Sequence, residues 1–162
     1  MSVLEKKFRF EVKEDTVTRE ELMRKASQPL AKLIKDKSLI ILPSHGTADE
    51  FYTGTLDTLD YFNDNEVDVE IYATDEEYKE LSLHGADFWL GTFFVSSLIL
   101  PLLTNLMSSY IYDKLKADKS DGISVKLIIE KKSGSTVSIS YDGSVEKLDK
   151  VFGAIKDLEN EV

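Results

Sequence analysis

Cysteine is absent from the 162-residue sequence. The chain therefore has no disulfide framework, no thiolate metal ligand and no cysteine nucleophile. Its first fifteen residues, MSVLEKKFRFEVKED, are charged and lack the apolar stretch of a secretory signal, so we expect a cytoplasmic protein. The length fits one domain, and a chain of this size buries roughly two thirds of its unfolded surface, which is enough to fold without covalent cross-links.

Basic residues are missing from residues 38–78, which contain eleven carboxylates and no lysine or arginine. Because a surface of that sign repels phosphate backbones, we expect no nucleic-acid binding. The same surface favours a basic protein partner, and the simpler alternative is a solvated face that keeps the protein soluble. The predicted acidic docking face consists of Asp49, Glu50, Asp57, Asp60, Asp64, Glu66, Asp68 and Glu70.

Charge of either sign is missing from residues 88–112, FWLGTFFVSSLILPLLTNLMSSYIY. The length of this run matches a single transmembrane helix, which would leave the C-terminal part in the cytoplasm at the inner membrane. The alternative is a helix that is buried in protein, either in a homo-oligomer of this chain or at an interface with another protein chain. Both interpretations predict one long apolar helix over residues 80–117. The residues predicted to make its contacts are Phe88, Trp89, Phe93, Phe94, Leu98, Leu102, Leu106 and Tyr110.

Small polar residues interrupt this run and would follow one side of the predicted helix. In lipid, such residues let helices approach closely, as in an anchored or pore-forming subunit. In water, they would face a partner helix or solvent while the large apolar side is buried. The predicted small-polar stripe consists of Thr92, Ser96, Ser97, Thr104, Asn105 and Ser108.

The remaining patterns predict ordinary strands and helices. In KFRFEV, the alternation places Phe8, Phe10 and Val12 on one side of a half-buried strand. Motifs of the form Thr-x-x-Glu are capping boxes that start helices, and they occur at residues 18–21, 47–50 and 74–77. The second predicts a short helix that contains Phe51 and Tyr52, and Ser144 should cap the final helix, which starts at Val145. Pro29 should kink or split the helix that follows Thr18.

We predict a mixed α+β fold in three segments. Residues 1–79 form an acidic strand–helix–strand–helix–strand unit, residues 80–117 the long apolar helix, and residues 118–162 a β-hairpin followed by a helix. The hairpin turn is expected at KSGS. The three segments are either separate units or one composite domain.

No motif predicts catalysis or metal binding. Ser44 and His45 adjoin in PSHGT, but only one of the two flanking glycines of a nucleophile elbow is present, Gly46. Asp57, Asp60 and Asp64 share one side of a predicted helix, although their spacing is not that of a calcium-binding loop. We therefore predict no enzyme, no cofactor and no metal.

Residues 83–162 contain LHGADFW, LTNLMSSYIYDKL, ISVKLIIEKK and TVSISYDGS, followed by the final helix. This segment resembles small uncharacterised bacterial proteins with an apolar helix, a polar linker and a strand–strand–helix tail, whose genes lie near conflict and signalling systems. The tail is similar to the effector-associated constant component. The resemblance implies a non-enzymatic adaptor that couples an effector to other components, with no catalytic residue. The alternatives are a membrane subunit and an acidic immunity-type protein that inhibits a basic enzyme.

Overall fold

A computed structural model describes residues 8–44, 49–81 and 88–157. The strands are β1 (Arg9–Asp15), β2 (Leu39–Leu42), β3 (Phe51–Tyr52), β4 (Val69–Ile71), β5 (Glu80–Leu81), β6 (Phe88–Ser96), β7 (Gly122–Glu130) and β8 (Thr136–Ser144). Six of them form one mixed sheet in the order β1-β8-β7-β6-β2-β4, and β3 pairs with β5 in a separate parallel pair. The mixed α+β class predicted from the sequence is confirmed.

The helices cover both faces of the sheet. They are α1 (Arg19–Lys25), α2 (Gln28–Ile34), α3 (Thr55–Asp64), α4 (Leu100–Ser109) and α5 (Val145–Asp157). The apolar residues of α1 and α2 pack against Phe94 and Ile128 on one face. Those of α3, α4 and α5 pack on the opposite face, around Phe93 and Leu127. The two cores are therefore separated by the sheet.

The strand register joins the predicted segments into one sheet. β1 is antiparallel to β8, with Val12 opposite Ile139, and β8 is antiparallel to β7. β6 is parallel to β7, with Phe93 opposite Leu127, and antiparallel to β2. Strands from residues 1–79, 80–117 and 118–162 thus belong to the same sheet.

The prediction of one long apolar helix over residues 80–117 is wrong. Glu80 and Leu81 form β5, Phe88–Ser96 form β6, an interior strand, and α4 begins only after a 3₁₀ turn at Ser97–Ile99. A strand that is covered on both faces has a continuous apolar sequence, which cannot be distinguished from a buried helix by periodicity. Pro101 occupies the first turn of α4, where proline is tolerated, and so marks the start of the helical part. In the described part of the chain, no helix is both long enough and apolar enough to cross a membrane.

The prediction that β1 is half-buried is also wrong. Phe8, Phe10 and Val12 are 53%, 39% and 50% exposed. They lie on the face that carries α5, because Val12 is opposite the buried Ile139. That helix packs on β8, one strand further in, and no other described helix packs on this side of β1.

Several local predictions are confirmed by hydrogen bonds. The Thr18 hydroxyl accepts from the Glu21 amide at 3.2 Å, at the start of α1. The predicted break at Pro29 occurs, since α1 ends at Lys25 and α2 follows it. The KSGS turn joins β7 to β8, with Gly134 at a φ of +92°.

Two predicted helix starts have a different outcome. Phe51 and Tyr52, which were expected in a helix, form β3, and α3 begins only at Thr55. At Thr74 the capping bonds form, since the Glu77 carboxylate accepts from the Thr74 amide at 3.0 Å, but the residues make a turn and not a helix. The capping box at residues 47–50 lies partly outside the described residues.

Three tyrosines should make the protein less stable at high pH. Burial raises the pKa of Tyr52 and Tyr78 to about 12, and the hydrogen bond to Asp149 raises that of Tyr112 to about 12, against an ordinary value of 10.0. The folded state therefore keeps protons that the unfolded state loses above pH 10. We expect these tyrosines to leave the free energy of unfolding unchanged at neutral pH and to lower it between pH 10 and 12, measured by urea denaturation.

The Tyr112→Phe variant is the control for this pH dependence. It removes one of the three groups, so its free energy of unfolding should fall less steeply above pH 10 than that of the wild type. An identical slope in both proteins would contradict the role of the bond between the Tyr112 hydroxyl and Asp149, which is 2.6 Å long.

Candidate functional site

The residues predicted to line one interaction helix do not share a surface. Phe93 and Phe94 are fully buried on opposite faces of the sheet. Leu98 and Leu102 are 72% and 48% exposed, and they lie in the 3₁₀ turn and in α4. Phe88 and Trp89 are half-buried in β6, Leu106 is half-buried in α4, and Tyr110 is buried in the π-helical segment Tyr110–Lys114.

The small-polar stripe is likewise divided. Thr92 and Ser96 lie in β6 and Ser97 in the 3₁₀ turn, while Thr104, Asn105 and Ser108 lie in α4. The Thr104 hydroxyl donates to the Pro101 carbonyl at 3.0 Å, and the Ser108 hydroxyl donates to Asp149 at 3.3 Å. These bonds serve local structure within α4 and between α4 and α5, and the six residues do not form one continuous row.

The acidic residues concentrate at the β4 end of the sheet. Asp57, Asp60 and Asp64 are exposed on α3, and Glu66, Asp68 and Glu70 follow in the loop and in β4. Among the predicted docking carboxylates, Asp68 pairs with Lys37 at 2.9 Å and Asp49 pairs with Lys79 at 3.0 Å. No group of three or more potential metal ligands occurs among the residues that the structure describes.

Ser44 has a structural role at the end of β2. Its buried hydroxyl accepts from the Tyr52 amide at 3.0 Å, and its own amide donates to the Glu50 carbonyl at 2.9 Å. These bonds attach β3 to the end of β2. The neighbouring His45 lies outside the described residues.

The opposite end of the sheet is formed by β1, which combines an unpaired edge with exposed apolar side chains. Within the described ranges, its outer side pairs with no strand. Phe10 and Val12 follow each other along one face, and Phe8 extends the same row. We call these three side chains the apolar row.

Phe8 is held in place by contacts with β8 and α5. Its ring meets the Tyr141 ring edge-on, with centroids 5.8 Å apart, and the Lys147 ammonium lies 4.8 Å above it. Gly143 makes this packing possible, because a Cβ there would lie 2.7 Å from the Tyr141 hydroxyl and 3.1 Å from the Phe8 ring. The apolar row thus has a defined position although it is exposed.

The other face of β1 carries charges of alternating sign, at Arg9, Glu11, Lys13 and Asp15. We call these four residues the charged row. Arg9 and Glu11 form an ion pair of 3.0 Å, and the hydrogen bond from Arg9 lowers the pKa of the Glu11 carboxyl. Because these side chains are mostly exposed, their attraction is weak within one molecule and available to a neighbouring strand.

A polar pocket of about 120 Å³ adjoins the charged row. It lies beside β8 and β7, and its basic lining residues are Arg9, Lys13 and Lys126. Asp142 also lines it, accepts a hydrogen bond from the Ser124 hydroxyl, and offsets part of the positive charge. The sequence did not reveal this pocket, because its residues come from five separate strands.

The sequence pattern of β1 indicates an apolar face, which the sequence analysis predicts to be half-buried. The alternation of aromatic and charged residues identifies a strand with one apolar face. It does not say whether a helix or another molecule covers that face.

Comparison of the chain with protein-family models, curated proteins and solved structures finds no match.

Proposed function

We propose that this protein is a non-enzymatic adaptor that binds another polypeptide by strand addition at β1. The observation that carries the proposal is the apolar row, three exposed side chains on a strand whose outer side pairs with no other described strand. Strand addition at such an edge supplies main-chain hydrogen bonds for affinity and side-chain contacts for specificity.

The edge lacks most of the devices that keep strands from pairing. Proteins protect edges with short strands, prolines, bulges or a covering element. β1 has seven residues, contains no proline and pairs with β8 without a register shift. Its charged row is a protective feature, and a strand of complementary charge turns that feature into an attraction.

The first test places charges in the apolar row. We expect the Phe10→Lys/Val12→Lys variant to lose the complexes that the wild-type chain forms, because lysine on an edge opposes strand addition. The measurements are sedimentation velocity of the purified chain and co-purification of partners from cells that express it. The matched control is Leu33→Lys/Leu56→Lys, which changes two side chains that are each 46% exposed and lie away from β1.

A selective loss in the β1 variant supports the proposal. If both variants keep the mass and the partners of the wild type, β1 is not the binding edge. If only the control variant loses its complexes, association takes place through α2 or α3 instead.

The pathway in which the adaptor acts is part of the same proposal. The resemblance of residues 83–162 suggests a bacterial conflict or signalling system. An acidic-surface inhibitor is the second candidate, supported by Leu56, an exposed apolar residue beside Asp57 and Asp60 on α3, a helix without basic residues. Such a complex would weaken strongly when the salt concentration rises above the physiological value, and Leu56→Lys would abolish it.

A further inference from the structure

We infer that the strand added to β1 is the β1 strand of a second copy of this chain. The inference rests on the proposed function and specifies its partner. The two strands run antiparallel, related by a twofold axis that places Val12 opposite its own copy. The two six-stranded sheets then continue into each other through β1.

The charged row is complementary to itself in this register. Glu11 faces Lys13 of the second copy, and Arg9 faces Asp15. The twofold axis repeats each pair, so every position of the row meets the opposite sign. Along each strand the neighbouring charges also alternate, as the ion pair between Arg9 and Glu11 shows. Opposite charges at directly opposed positions stabilise strand pairing.

The adjacent registers place like charges together. Side chains alternate between the faces, so a register that keeps the faces aligned differs by two residues. A shift in one direction brings Glu11 opposite Glu11 of the second copy, and Arg9 opposite Lys13 of the second copy. A shift in the other direction brings Lys13 opposite Lys13 of the second copy, and Glu11 opposite Asp15 of the second copy. The charged row therefore selects the register centred on Val12.

The apolar row gains cover in the same register. Val12 packs against its own copy across the axis, and Phe10 lies diagonally from Val12 of the second strand, within reach of an aromatic side chain. The side chains that α5 leaves exposed beside β8 are thus partly buried by the second copy. In this register Phe10 is directly opposite Glu14 of the second copy, so the charged row, and not the apolar row, selects it.

Cross-linking tests the register directly, because the chain contains no cysteine. Directly opposed residues in antiparallel strands have Cα atoms about 4.5–5.5 Å apart, within the range that a disulfide spans. We expect Val12→Cys to form a covalent dimer under mild oxidation. The matched control, Phe10→Cys, should stay largely uncross-linked, because Phe10 faces Glu14 of the second copy and not itself.

Charge exchange tests the complementarity. We expect Lys13→Glu and Glu11→Lys each to weaken the dimer on the order of tenfold, since each variant reverses two cross-strand pairs. The double variant Glu11→Lys/Lys13→Glu restores the pairs with exchanged signs and should regain most of the affinity. Glu20→Lys, which makes the same change of charge as Glu11→Lys on the exposed part of α1, should leave the dimer unaffected. Sedimentation equilibrium gives the dissociation constants.

The outcomes separate this inference from the proposed function. Cross-linking at Val12 together with rescue by the double variant supports self-pairing. If Phe10→Lys/Val12→Lys abolishes complexes but neither cross-linking nor rescue is seen, self-pairing is overturned and strand addition by a different polypeptide stands. If wild type and Phe10→Lys/Val12→Lys form the same species, both proposals are overturned.

Discussion

Phe93→Ala should lower the free energy of unfolding by about 3–5 kcal/mol, the cost of truncating a large side chain in a closed core. Phe93 is fully buried in the middle of β6, and its ring meets that of Phe62 edge-on at 6.2 Å between centroids. Loss of this ring leaves a cavity between the sheet and α3. Since domains are stable by only about 5–15 kcal/mol, much of the stability would be lost, as urea denaturation would measure.

Leu98→Ala is the matched control in the same apolar run. Leu98 is largely exposed in the 3₁₀ turn, so its truncation should change the free energy of unfolding by less than about 0.5 kcal/mol. One helix through the run, packed along its large residues, would make both substitutions costly. Equal effects of the two changes would therefore contradict the division of the run into β6 and α4.

Arg19→Met should cost about 3 kcal/mol of stability, because it leaves a carboxylate without its partner in a mostly covered position. The Arg19 guanidinium donates to both oxygens of Glu130 at 3.1 Å and to the Ile34 carbonyl at 3.2 Å. It also lies 5.4 Å from the centre of the Phe94 ring. This one side chain thus connects α1 to the end of α2 and to the ends of β6 and β7.

A double-mutant cycle distinguishes the ion pair from simple packing. Arg19→Met/Glu130→Leu replaces both charges by apolar groups and should be less destabilised than Arg19→Met alone. Lys25→Met is the control, since the pair of Lys25 with Glu21 is exposed and should contribute less than about 1 kcal/mol. A double variant that is less stable than Arg19→Met would show that packing and hydrogen bonds to the carbonyls dominate.

Predictions from the sequence succeeded where a short segment contains its own signal. The Thr18 cap, the break before Pro29 and the hairpin around Gly134 depend on residues within a few positions of one another. The final helix begins at Val145 as expected, with the Ser144 hydroxyl accepting from the Lys147 amide at 3.3 Å. In each case the hydrogen bonds that define the element are local.

The candidate site was predictable only in part. The alternation around Phe10 and Val12 correctly indicates a strand with an apolar face. Exposure of that face depends on where α5 packs, and α5 lies more than a hundred residues away along the chain. The charged row was visible in the sequence as well, but its self-complementarity has meaning only for an unpaired edge.

The sequence by itself determined the mixed composition of strands and helices, the helix caps, the C-terminal hairpin and the acidic stretch from residue 38 to residue 78. Only the tertiary structure decided that residues 88–96 form a strand between β7 and β2, and that β1 lies at the edge of the sheet. The physical reason is that a pattern of side chains records which faces are apolar. Which element covers each face depends on packing between distant parts of the chain.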